Sequence, residues 1–394
     1  MDVGLPISGK DSMSAQSCIC LFSSLYPPSM GGVEVYTASI ARELCRMGLN
    51  VIVVTCALNE DEGVSVEDGI EILRLPCRPL LGGRYPIPRH NAAARSWWRW
   101  LEEKPIDFIE VQTRFYPLSA EALAFAERKG VVPIVLEHGS AHLTMGNAII
   151  DKAVQAVEHS MTMRCLKHPA AFYGVSSKAS NWLTHFGIDS HGELPNAIDV
   201  DSYVAQASSR DFRKELHVGE DSFMVAFVGR LVPEKGIIQL AKASKLLKNS
   251  NVSVVIGGDG PLLDSLKAYE SPSFKLLGKL SRTEVAALLK QSDAMCLPSR
   301  SEGFATVLLE AAVCGAALIS TDVGGARELI PDSTFGTILA DNEPQTIASA
   351  ILAMSINKES LTKMRMKSSA RVRSDYSWNR TARATLRAFA SEQL

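Results

Sequence analysis

Two carboxylates, Glu302 and Glu310, flank the segment Gly303-Phe304-Ala305-Thr306-Val307-Leu308-Leu309. Glu302-Gly303-Phe304 reads as a loop, and Ala305 to Cys314 reads as a helix that Gly315 ends. Glu302 then stands at a helix mouth, among backbone N–H groups that have no partner inside the helix, and Glu310 follows about two turns on. Such a helix start suits an anion, phosphate above all. A carboxylate beside a phosphate site can accept hydrogen bonds from sugar hydroxyls, so one for a ribose and one for a second sugar describes a nucleotide-sugar site. Two cations supply the matching charge. Gly229-Arg230 closes one apolar run, and Glu234-Lys235-Gly236 precedes the next helical stretch. Arg230 can grip a diphosphate with its fork, and Lys235 can neutralise it as a point charge.

Other segments follow apolar runs in the same way. Gly31-Gly32-Val33-Glu34 opens the first helical stretch, where two glycines allow close backbone approach to a ligand. The G-x-G-x-x-G spacing of a dinucleotide site is absent there, which argues against a nicotinamide-dependent oxidoreductase. His138-Gly139 follows the run Val132 to Leu136, and a histidine so placed could donate a hydrogen bond to a bound sugar. Gly257-Gly258-Asp259-Gly260-Pro261 and Val323-Gly324-Gly325 are further turns of this kind, readable equally as plain loops. Asp199-x-Asp201 has the spacing of a two-carboxylate metal site, but it falls in a turn between the two halves, so no metal is expected there.

These residues must be positioned by an alternation of strands and helices. Ser17 to Phe22, Val51 to Thr55, Ile70 to Leu75, Phe108 to Val111, Val132 to Leu136 and Ala170 to Tyr173 read as strands, with helices at Val33 to Met47, Asn91 to Glu103 and Ser119 to Lys129. The pattern restarts with strands at Met224 to Val228, Val252 to Ile256, Phe274 to Leu277, Ala294 to Leu297 and Ala317 to Ser320, separated by helices such as Ile237 to Lys248 and Thr283 to Lys290. Short buried runs between helices predict parallel sheets covered on both faces, and the restart predicts two Rossmann-like α/β domains. Residues 1–200 are expected to form the first and 201–377 the second. The polar helical tail 378–394, with Trp378 as its anchor, is expected to return to the first.

A chain of 394 residues is long enough for two domains, and its 46% hydrophobic and 21% charged composition is that of an ordinary globular protein. The net charge of −2 gives no attraction to nucleic acid. No apolar run approaches the ~20 residues that span a bilayer, and no signal peptide is visible. The eight cysteines are scattered and read as reduced thiols, so a cytoplasmic location is expected. Between Arg84 and Trp100 lie Arg89, Arg95, Trp97, Trp98 and Arg99, a basic and aromatic cluster. It suits either the inner face of an anionic membrane or the edge of a core helix.

Taken together, these segments resemble the retaining glycosyltransferases of family four, which have the GT-B fold. The matching pieces are Gly31-Gly32-Val33-Glu34, His138-Gly139, Gly229-Arg230, Glu234-Lys235-Gly236, Gly258-Asp259-Gly260-Pro261, Pro298-Ser299, Glu302-Gly303-Phe304, Glu310 and Val323-Gly324-Gly325, in the family's order over nearly the whole chain. The resemblance implies two Rossmann-like domains facing across a cleft, the first for the acceptor and the second for the sugar nucleotide. By position, Arg230 and Lys235 would bind the diphosphate, Glu310 the ribose and Glu302 the transferred sugar. The N–H groups of Gly303, Phe304 and Ala305 would cradle sugar and phosphate, His138 would touch the donor sugar, and Gly31-Gly32 would lie over the phosphates beside Gly229. The family's linker usually reads Asn-Gly-(Val/Ile)-Asp, and here it is Asn196-Ala197-Ile198-Asp199.

The reaction expected is transfer of a hexosyl group from a UDP- or GDP-sugar to a sugar or lipid-linked hydroxyl, with retention, in cell-surface polysaccharide or glycolipid synthesis. It needs no metal and no other cofactor, because Arg230, Lys235 and the helix start can stabilise the departing diphosphate. The alternatives are a sugar-nucleotide epimerase on the same fold and a non-catalytic partner subunit. Survival of His138, Arg230, Lys235 and Glu302 argues against loss of activity.

Overall fold

The computed structural model describes residues 17–29, 31–58, 61–142, 144 and 148–393. They form two compact units. The first runs up to Gly174 and adds Ser180–Leu194 and the tail from Trp378; the second comprises Val175–Ala179 and Pro195–Ser377.

The first unit holds nine strands: β1 (Cys18–Phe22), β2 (Asn50–Ala57), β3 (Gly63–Glu67), β4 (Ile70–Leu80), β5 (Tyr85–Pro88), β6 (Phe108–Gln112), β7 (Ile134–Glu137), β8 (Ala171–Gly174) and β9 (Gly192–Glu193). Their order is β3-β4-β2-β1-β6-β7-β8-β9, with β5 on β4. β1 pairs in parallel with both β2 and β6, and β6, β7, β8 and β9 continue in parallel. Ile19, Cys20, Leu21, Val53, Val54, Ile109 and Val111 are fully enclosed, as expected of strands covered on both faces.

Two antiparallel strands at the edge depart from the all-parallel expectation. β3 leaves Val66 68% exposed, so it lacks the buried run that marks an inner strand. β5 is Tyr85-Pro86-Ile87-Pro88; its prolines cannot donate to a ladder, which confines it to the rim. The strand expected from Val132 begins instead at Ile134, after Pro133.

The second unit holds β10 (Phe223–Val228), β11 (Val252–Gly257), β12 (Phe274–Gly278), β13 (Ala294–Leu297), β14 (Ala317–Thr321) and β15 (Thr337–Leu339), in the order β12-β11-β10-β13-β14-β15. Every pairing is parallel. β10 and β13 lie side by side at the centre, and the chain leaves them toward opposite edges. Their carboxyl ends therefore form the switch point at which open α/β sheets leave a crevice.

After β15 the chain is helical: Pro344–Ile356, Lys358–Asp375 and Trp378–Glu392. In the first unit the last of these packs along the helix Gly32–Arg46, and the Trp378 ring meets Tyr36 edge-on at 5.5 Å. Among the described residues no helix is long and apolar enough to cross a membrane.

Candidate active site

In the second unit the segments after β10, β11, β13 and β14 converge backbone against backbone. Gly229 N donates to Gly257 O at 3.1 Å, Leu231 N to Asp259 O at 2.9 Å, and Arg300 N to Glu234 O at 2.7 Å. Ala305 N donates to Gly324 O at 2.9 Å and Gly324 N to Glu302 O at 3.2 Å. Contact this close requires glycine. At Gly236, with φ of +65°, a Cβ would lie 2.0 Å from the Pro298 carbonyl oxygen; at Gly258, with φ of +154°, it would lie 1.9 Å from that of Gly229.

Within this frame Lys235 and Glu302 form one unit. Lys235 ends the short 3-10 turn Pro233–Lys235 after β10, and Glu302 lies in the loop after β13. Lys235 Nζ donates to Glu302 Oε1 at 2.6 Å and to Oε2 at 2.8 Å. Ser299, itself buried, donates to Oε1 at 2.7 Å. The side chains are only 24% and 12% exposed, so the pair is shielded from bulk water. Arg230 is exposed beyond the end of β10, and its guanidinium has no ion pair among the described residues. It remains free for an anion.

The helix expected over Ala305 to Cys314 spans Thr306–Val313, with Gly315 left-handed behind it at φ of +84°. Ahead of it, the N–H groups of Gly303 and Phe304 have no hydrogen bond among the described residues. Two donors and a helix start thus lie beside Glu302 and Lys235, an arrangement that favours an anion. Ser176 Oγ donates to Gly303 O at 2.6 Å and fixes the loop from behind.

Glu310 lies on the same helix, half-buried. Burial pushes its carboxyl up to about 7, and the charge of Arg282 opposes the shift. The buried Tyr203 hydroxyl faces it, and burial first and the Glu310 charge second push that hydroxyl's pKa up.

The first unit places its residues at the carboxyl ends of β1, β6 and β7. Gly31 precedes the helix Gly32–Arg46 in an extended conformation, and the buried Glu34 side chain folds back against it. A Cβ on Gly32 would meet nothing within 4 Å among the described residues. His138 follows β7. Its Nε2 lies 2.7 Å from Gln112 Oε1, and Gln112 Nε2 donates to buried Glu110 at 2.6 Å. The amide oxygen of Gln112 can only accept, so Nε2 of His138 carries the proton. Burial lowers the imidazole pKa to about 3, so the ring is neutral and Nδ1 keeps its lone pair. The sequence suggested a donor to sugar; the geometry leaves an acceptor instead. Tyr36 packs edge-on against the ring at 5.1 Å.

Residues 30–202 match the pattern of Glycosyltransferase Family 4, and residues 208–372 match that of Glycosyl transferases group 1. The chain belongs to glycosyltransferase family four. A human relative, one of the subunits of phosphatidylinositol N-acetylglucosaminyltransferase, is 25% identical over 325 residues, which cover 80% of this chain and 64% of the relative. The chain thus spans less than two thirds of that protein. Among solved structures, sucrose-phosphate synthase from Thermosynechococcus elongatus superposes with a TM-score of 0.74 at 17% identity, over 95% of this chain and 98% of that one. The Anabaena protein HepE, in complex with UDP-glucose, superposes with a TM-score of 0.68 at 17% identity, over 94% and 99%. This glycosyltransferase has the GT-B fold that these α/β structures share.

The remaining candidate segments of the glycosyltransferase have structural partners. Asp199 caps the helix Val200–Ala205 by accepting from Ser202 N, and exposed Asp201 pairs with Arg373 at 3.3 Å. In the Arg84 to Trp100 cluster, Trp97, Trp98 and Trp100 pack against the core of the first unit, and Trp98 lies against Phe22 and Phe125. Arg84, Arg89, Arg95 and Arg99 are exposed, so the rings serve the fold and the arginines face solvent. All eight cysteines are free thiols. Ser299 and the Glu110–Gln112 pair are the site groups not singled out by role in the sequence. The signal for the latter was two polar residues inside the strand Phe-Ile-Glu-Val-Gln.

Proposed function

We propose that this glycosyltransferase transfers a hexosyl group from a nucleotide-diphosphate sugar to an acceptor hydroxyl with retention of configuration. The observation that carries this reading is the Lys235–Glu302 pair beside the free N–H groups of Gly303 and Phe304, with unpaired Arg230 at the same switch point. A departing diphosphate gains negative charge in the transition state. Arg230, Lys235 and the helix start supply positive charge and donors already held in place, which lowers the barrier without reorganisation. Glu302 is then the acceptor for hydroxyls of the transferred sugar, and Glu310 for the ribose. Gly229, Gly303 and Phe304 supply backbone that a ligand can approach closely; the Ala305 N–H, expected to join them, is instead given to Gly324 O at 2.9 Å. Within the first unit, Gly31 and Gly32 would offer open backbone to a ligand, and Nδ1 of His138 an acceptor for a hydroxyl. A front-face route, in which the leaving phosphate takes the acceptor proton, needs no protein nucleophile and no metal.

The complex of HepE with UDP-glucose supports a UDP-sugar as the first donor to try. The human relative's name points to a lipid-borne acceptor. An open groove of about 820 Å³ in the first unit, lined by Leu80, Ile87 and Met161 and edged by Arg164 and Lys167, has the mixed apolar and basic character for such a molecule.

The test is a thermal-shift panel of nucleoside diphosphates and their sugars, followed by transfer from the best donor and NMR of the product's anomeric proton. A donor base that raises the midpoint, with a product of retained configuration, supports the reading. No stabilisation by any nucleoside diphosphate, or a product of inverted configuration, overturns it.

A further inference from the structure

Away from the groups assigned to sugar transfer, His142, His159 and His185 bring their ring nitrogens within 4.8 Å of one another. They come from three places in the first unit: the segment after β7, the helix Ala148–Cys165 and the 3-10 turn Thr184–Phe186. We propose that these three imidazoles form a binding site for a single divalent transition-metal ion of the zinc type. The proposal is independent of the donor chemistry above.

Two observations beyond proximity support it. The first is ring orientation. His142 Nδ1 lies 2.7 Å from Glu158 Oε2, so Nδ1 is engaged by the carboxylate and Nε2 is the nitrogen left for a metal. A carboxylate behind a ligating imidazole fixes the tautomer in this way and raises ligand basicity. The His185 ring is held by stacking on Trp182, with centroids 4.7 Å apart and planes 4° apart. Two of the three ligands are therefore already oriented.

The second is charge. Glu158 is buried, and its other oxygen accepts from Arg114 Nη2 at 2.7 Å. Arg114 is 1% exposed and also donates to buried Glu137. One guanidinium thus serves two buried carboxylates behind the triad. A cation held by the imidazoles would add a second positive partner on the Glu158 side of this pair.

Three imidazole nitrogens and one open position are a familiar set for zinc, and borderline imidazole ligands favour such ions over calcium or magnesium. Bonds of 2.0–2.1 Å in a tetrahedron put nitrogens about 3.3 Å apart, so the triad must tighten. His159 is exposed and is the ligand whose orientation neither a carboxylate nor a stacked ring fixes, so the adjustment falls to it. An ion here would tie the segment after β7, which begins with His138, to the helix that carries Glu158 and His159.

The experiment uses the full chain stripped with a chelator and then titrated with Co²⁺, followed by calorimetry and visible absorption, with Zn²⁺ as competitor. One equivalent per chain, ligand-field bands that Zn²⁺ displaces, and a raised thermal midpoint are expected. His159→Ala and His185→Ala should each weaken binding at least tenfold; both residues are exposed, so neither change threatens the fold. His168→Ala, in a separate pair with Glu127, should leave binding unchanged. Absence of saturable uptake would show that the cluster is only a stack of aromatic rings. Uptake that survives either triad substitution would remove the three-imidazole site.

Discussion

Lys235 Nζ bridges both oxygens of Glu302, at 2.6 and 2.8 Å, across the carboxyl ends of the two central strands of the second sheet. Each residue keeps the other in place without a ligand. Without Lys235, Glu302 would be a largely buried carboxylate that had lost its paired cation. A cation anchored in this way costs little to position as a diphosphate departs, so its contribution is greatest in the transition state. Lys235→Ala should lower kcat by about 100-fold and weaken binding of the free nucleoside diphosphate by less than about tenfold. Steady-state kinetics with calorimetry separates the two. Full turnover with only weakened donor binding would remove the role.

Glu310 gives a pH-dependent outcome. In the folded chain burial keeps its proton on up to about pH 7, whereas an unfolded glutamate loses it near 4.5. The native state thus binds more protons between these values, and its contribution to stability is full below 4.5 and lost as pH rises through 7. Glu310→Gln should flatten this slope and raise stability at pH 8 by on the order of 1 kcal/mol, measured by urea unfolding at pH 5 and pH 8. The same change should weaken nucleoside diphosphate binding, most clearly above pH 7, where the native carboxylate is charged and can accept from both ribose hydroxyls. Unchanged affinity would remove Glu310 from the ribose site.

His138 has the opposite sign. Its folded pKa of about 3 lies below the ordinary 6.5, so the unfolded chain binds more protons in that interval. Its contribution to stability is full above 6.5 and lost as pH falls toward 3. His138→Gln should therefore reduce the loss of stability between pH 7 and pH 5, by about 1–2 kcal/mol. Gln112→Ala removes the acceptor that holds the ring. It should lower activity while leaving nucleotide affinity in the second unit unchanged, and a normal rate in Gln112→Ala would show that the Glu110–Gln112–His138 chain does not orient the imidazole.

Much of this was legible in the sequence because parallel strands are buried on both faces and leave continuous apolar runs. Met224 to Val228 and Ala294 to Leu297 are such runs, and the chemistry follows them directly at Arg230, Lys235 and Glu302. The edge strands were not legible. β3 and β5 are short and partly exposed, and the prolines of β5 hide its pairing. Partners distant in sequence were equally silent. Ser299 reads only as a neighbour of Pro298 until the loop turns its hydroxyl onto Glu302, and the direction of His138 depends on Gln112, 26 residues upstream. His142, His159 and His185 have no ligand spacing at all; only the packing of the loop, helix and turn brings them together.

Gly324 tests whether the Glu302 loop must keep its present path. A Cβ there would lie 2.0 Å from the Gly303 carbonyl oxygen and 2.5 Å from that of Glu302, atoms that cannot swing aside as a side chain could. Gly324→Ala must push the loop away from the β14 segment, breaking the bonds between Gly324 N and Glu302 O and between Ala305 N and Gly324 O. The strain should cost roughly 1–3 kcal/mol of stability. Its larger effect should be on catalysis, because Glu302 and the N–H groups of Gly303 and Phe304 move together, and a displacement of about 1 Å is enough to cost 100-fold. Gly219→Ala, outside the proposed site and outside the left-handed region, is the matched control for a glycine-to-alanine change, since nothing among the described residues lies within 4 Å of its added methyl group. Thermal unfolding and turnover of both variants decide the matter: Gly324→Ala should lose far more activity than its stability loss explains, and a Gly324→Ala enzyme with normal turnover would show that the loop position does not govern transfer.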